Sequence, residues 1–162
     1  MLALRSIFFT LLLPGTVTVL VPYLIVSGTG AGSAPRPMIA WAGLAPVVAG
    51  AGVLLRCILD FAVAGRGTLA PVDPPTVLVV RGLYRSVRNP MYVGVVWVLV
   101  GEALLFWSVS LLLYAGAFFA MAHLFVTLYE EPALRRRFGE SYDAYARDVR
   151  RWLPRRPRRP DG

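Results

Sequence analysis

Residues 7–26 form a run of 20 without a single charge, and that run decides the solvent of this chain before its fold. A bilayer leaves the backbone N–H and C=O groups of such a stretch no partner but each other, and a helix satisfies them all. Three more apolar stretches follow at 38–64, 91–107 and 108–129. The whole chain is 57% hydrophobic and 16% charged over 162 residues. This composition indicates an all-α integral membrane protein of one domain with about four transmembrane helices. A cleavable leader is the rival reading of the first run, since Arg5, an apolar centre and the small residues of 28–34 resemble one. The run is longer than the apolar core of a usual leader.

All 17 basic residues are arginine, and the formal net charge is +8. Ten of them lie beyond Glu130 and four between Arg66 and Arg88, while 27–37 holds only Arg36. Arginine-rich loops stay on the cytoplasmic side, so the N-terminus, the 66–88 loop and the C-terminus are all expected there. An even number of spans satisfies that pattern, and four are available. Pro71, Pro74 and Pro75 make 65–80 a loop. Gly43, Gly50 and Gly52 in the second stretch permit close helix contact. Arg56 and Asp60 stand four apart and can pair, and Glu102 lies near the far end of the third stretch, beside Trp107.

Beyond the last span, 130–152 alternates charged and apolar positions at helical spacing. Leu134, Phe138, Tyr142, Tyr145 and Val149 form one stripe, which predicts cytoplasmic amphipathic helices against the membrane or the bundle. Residues 153–162 read as a basic, disordered tail whose arginines suit anionic lipid headgroups. No nucleic-acid module is recognisable. With one cysteine, Cys57, and one histidine, His123, no metal site and no internal disulfide are expected.

Two polar clusters interrupt the apolar pattern. Residues 81–92, RGLYRSVRNPMY, bring Arg81, Arg85 and Arg88 together with Tyr84 and Tyr92 at the mouth of the third span. Asn89-Pro90 marks a turn there, because the residue before proline is pushed out of the helical region. On the fourth span, His123, Thr127 and Glu130 are spaced four and three apart, within about 60° of arc on one helical face. Both clusters meet the cytoplasmic surface at one depth. Cations, aromatic faces and carboxylates suit a ligand with a carboxylate, ribose hydroxyls, a purine and a sulfonium. S-adenosylmethionine fits that description; so do a nucleotide and a lipid headgroup, in part.

The motif GLYRSVRNPMYVG, followed some 30 residues later by YEEPALRRRFGESYDAY, resembles the isoprenylcysteine carboxyl methyltransferase family and its phospholipid-amine relatives. The resemblance covers about half the chain. It implies S-adenosylmethionine as cofactor, membrane lipids as surroundings, and methyl transfer to a lipophilic or lipidated acceptor. The acceptor would be a prenylcysteine-like carboxylate or a lipid amine or hydroxyl. It further implies cofactor contacts at Thr76, Val77, Leu78 and Val79, at Tyr84, at Arg88, Asn89, Pro90, Met91 and Tyr92, and at Glu130. His123, the one imidazole, is the candidate base.

Two positions depart from the family pattern. Asn89 stands where histidine is usual, and Val126 stands where members that methylate a prenylcysteine carboxylate place an arginine. A valine cannot orient a carboxylate, so His123, or Arg147 or Arg150 folding back, would have to supply the cation. Without that chemistry the alternative is a non-catalytic four-span scaffold or accessory subunit.

Overall fold

The computed structural model describes residues 14–64, 78 and 80–154. The start of the first apolar run, most of the 65–80 loop and the tail beyond 154 lie outside them. Five helices account for the described residues. Helix α1 is Thr16–Thr29 and opens as a π turn, Thr16–Leu20. Helix α2 joins a 3-10 turn, Met38–Gly43, to an α-helix, Leu44–Ala64. A 3-10 turn at Gly82–Arg85 precedes α3, Pro90–Leu105. Helix α4, Val109–Phe138, runs on through a π turn at Val126–Glu130, and α5 is Glu140–Asp148.

Helices α2 and α3 approach backbone to backbone. A Cβ added to Gly50 would stand 2.6 Å from the Gly94 carbonyl oxygen, and one on Gly101 would stand 2.7 Å from the Val47 nitrogen. Only glycine allows that contact, which removes side-chain separation and lets dispersion act between main chains. Gly52, expected to share this role, faces open space. Helix α3 then turns back on itself through Trp107, whose φ is 49°, and Ser108, whose hydroxyl accepts from the Leu111 N–H at 3.4 Å. The expected tight hairpin between the third and fourth stretches therefore forms. Its faces join in a core of Val95, Leu99, Ala115, Phe118 and Ala122.

Three boundaries differ from the sequence expectation. The fourth helix does not stop at Tyr129 but continues through the acidic pair to Phe138. Pro132 should break it, lacking the N–H that would bond Leu128; the π turn immediately before widens the ladder at that point. Gly139, with φ 52°, ends α4. Helix α5 ends at Asp148 rather than Trp152, because Val149 turns extended (φ −113°, ψ 128°).

The span count also differs. Two helices are long and apolar enough to cross a bilayer, Met38–Asp60 with 23 residues and Val109–Phe138 with 30; Thr16–Thr29 and Pro90–Leu105 are shorter. Pro90 and the Trp107–Ser108 turn hold α3 to 16 residues, about 24 Å at 1.5 Å per residue. In the two long helices only 17% and 22% of the most apolar stretch is buried. A core helix of a water-soluble domain would hide most of that surface; these present Val48, Leu55, Leu112, Leu113, Met121 and Leu124 outward.

Candidate functional site

The segment before α3 is bent, so its three arginines do not share a face. Arg81 and Arg85 are exposed at the 3-10 turn, and Arg88 alone points inward. Asn89 leaves the helical region (φ −121°, ψ 57°), as a residue before proline must, and Pro90 starts α3. Asn89 is buried; its side-chain amide donates to the Arg151 carbonyl at 3.2 Å.

Across from this turn, the π turn of α4 delivers the acidic pair, and the two carboxylates meet opposite circumstances. Glu131 is buried and takes three hydrogen bonds from guanidinium groups. Arg88 Nη1 donates to Oε1 at 3.0 Å; Arg151 donates from Nε to Oε1 at 2.7 Å and from Nη2 to Oε2 at 2.8 Å. Glu130 has no such cage. Its Oε2 is buried without a hydrogen-bond partner, and its carboxylate lies within reach of the Tyr92 phenol. Arg88 Nε is likewise buried with no acceptor. A buried carboxylate oxygen left open is costly unless a ligand donates to it.

The third part of the site comes from beyond α5. Val149 is buried, a parallel β-bridge pairs Val87 with Arg150, and the Arg88 N–H donates to the Arg150 carbonyl at 2.9 Å. This extended strap carries Arg151 to Glu131 and Trp152 to His123. Trp152 Nε1–H donates to His123 Nδ1 at 3.1 Å, and the indole meets Phe119 at 5.2 Å and Tyr92 at 6.4 Å between ring centroids. A neutral imidazole that accepts at Nδ1 carries its proton on Nε2, so the lone pair a base would use is engaged.

The remaining expected residues divide. Tyr84 joins the wall through its carbonyl, which accepts from the Tyr145 hydroxyl at 2.6 Å, while its phenol lies against Cys57. Burial raises the Tyr145 phenol above its ordinary value, so it remains a donor. Thr127 turns back on its own helix, donating to the His123 carbonyl at 2.7 Å. Met91 and Leu78 are half-buried, and Thr76, Val77 and Val79 lie outside the described residues. Val126 is fully buried. Arg147 and Arg150, the arginines expected to fold back, are exposed; Arg151 does so instead. Sequence reasoning missed Arg151 and Trp152, although a tryptophan inside a run of arginines was the available signal.

Two parts of this site, the turn before α3 and the acidic pair of α4, lie within a span that matches a known family. The model for phospholipid methyltransferases matches residues 39–141, well over half of the chain. Neither the curated proteins nor the solved structures yield a matching relative. The chain therefore belongs to the phospholipid methyltransferase family of membrane methyltransferases, which includes the isoprenylcysteine carboxyl methyltransferase-like enzymes.

Proposed function

We propose that this protein transfers a methyl group from S-adenosylmethionine to a lipophilic acceptor at the cytoplasmic face of a membrane. The observation that carries the reading is Glu130: a half-buried residue whose Oε2 is buried and unpartnered, beside a buried Glu131 that two arginines neutralise. Ribose hydroxyls would complete Glu130, and Arg88 Nε offers a donor for an anionic group of the same ligand. Tyr92 supplies a flat face, and Asn89, Pro90 and Met91 shape the turn beneath.

Bound S-adenosylmethionine supplies an electrophilic methyl on a sulfonium, a good leaving group. The chain then has to orient the acceptor and keep water out. Orientation of this kind is worth about 7–11 kcal/mol in favourable cases. The aromatic group of Tyr92, Phe119, His123 and Trp152 excludes water on one side. Buried Val126 offers no cation to a carboxylate, and Arg88 and Arg151 are both engaged on Glu131. That favours a lipid amine or hydroxyl over a prenylcysteine carboxylate.

The same reading places all four apolar stretches in the bilayer with both termini cytoplasmic. The test uses the full chain in nanodiscs containing phosphatidylethanolamine and labelled S-adenosylmethionine. Label in extracted lipid, reduced about 100-fold by Glu130→Gln, supports the proposal, since charge-assisted hydrogen bonds are worth about 1.5–3 kcal/mol each. Cofactor that neither binds nor labels any lipid or prenylcysteine probe would leave a scaffold.

A further inference from the structure

Trp152 stands between two environments. One edge meets Tyr92, whose phenol reaches Glu130; another meets Phe119, which is 40% exposed on the bilayer-crossing part of α4. Its orientation is fixed rather than incidental. The indole N–H is held by His123 Nδ1, and the strap after α5 is tied just before Trp152 by the Val87–Arg150 bridge and by the contacts of Arg151 with Asn89 and Glu131. Indole is broad, rigid and apolar except at that N–H, and here the polar atom is turned away from any ligand and into the protein. The half-buried ring thus spans from Phe119 on the lipid-facing side to Tyr92 beside the open carboxylate oxygen.

We infer that Trp152 is a specificity-determining residue, the surface against which the hydrocarbon chain next to the acceptor's reacting group lies, and that His123 is its positioning residue. The inference rests on the proposed function. It assigns His123 a role as hydrogen-bond acceptor to Trp152, in place of proton removal from the acceptor.

Two measurements test it. The chain has four tryptophans, so replacing Trp41, Trp97 and Trp107 by phenylalanine leaves Trp152 as the only indole. In nanodiscs with brominated acyl chains, its emission is expected to fall about twofold relative to unbrominated lipid, because the half-buried ring is apolar and lies against exposed Phe119. With phosphatidylethanolamine as acceptor, Trp152→Ala is expected to raise the lipid KM about tenfold, a pocket-contact effect. The Kd for S-adenosylhomocysteine stays within about twofold, because the ribose and Glu130 are untouched. Trp152→Phe, which keeps a ring, recovers most of the KM and stands in if the alanine variant does not fold. Emission indifferent to bromine, or a fall in kcat with unchanged lipid KM, overturns the inference. Failure of the wild type to bind S-adenosylhomocysteine would strike the proposed function instead, while bromine quenching would still report the lipid contact.

Discussion

Glu131 gives both carboxylate oxygens to arginines, whereas the adjacent Glu130 keeps Oε2 buried and open. Glu130→Gln should therefore weaken cofactor binding at least about 30-fold yet leave the thermal midpoint unchanged or higher, since it removes a carboxylate with a buried, unpartnered oxygen. Glu131→Gln should do the reverse. Stripping a buried carboxylate from two arginines costs about 3 kcal/mol or more, read as a lower midpoint in detergent. Thermal unfolding beside calorimetry separates the two. The sequence pointed to the acidic pair and to Arg88, because charges are few and conspicuous in an apolar chain. It did not show which carboxylate was satisfied. That depends on Arg151, twenty residues later and brought back by a change of backbone direction at Val149.

The elements were legible where one physical rule dominates. Apolar runs made helices, Asn89-Pro90 made a turn, and the near absence of a loop at Trp107–Ser108 made a hairpin. They were illegible where two rules compete. Pro132 argued for an end to α4, and the π turn at Val126–Glu130 absorbed it instead. Of the expected stripe, Tyr142 and Val149 are buried and Leu134, Phe138 and Tyr145 half-buried, but Val149 reaches the core from extended chain rather than helix. The α2–α3 contact offers a test at this scale. Gly50→Val would place side-chain atoms in the Gly94 backbone and should cost about 3 kcal/mol, measured as a lowered unfolding midpoint. Gly52→Val, which meets nothing within 4 Å, should leave the midpoint unchanged.

At the scale of the molecule, the site is assembled from three distant stretches: the turn before α3, the π turn of α4 and the strap after α5. Helix packing alone does not complete it. Truncation after Asp148 removes Arg151 and Trp152 together, leaving Glu131 with Arg88 alone and His123 without its donor. Such a chain should keep its helical circular dichroism, because α1 to α4 pack without the strap, but should lose cofactor affinity and unfold at lower temperature. Hydropathy gave the membrane and the helices, since burial of apolar surface is a local property of sequence. Convergence of the first two stretches was legible only as a common depth, and the strap was not legible as the third.

The most direct measurement is calorimetric titration of S-adenosylhomocysteine into the purified full chain in nanodiscs, beside Glu130→Gln of matched thermal stability. Micromolar binding to the native protein is expected, weakened at least about 30-fold in the variant. Equal binding by both proteins, or none by a well-folded native chain, would rule out Glu130 as the cofactor's anchor.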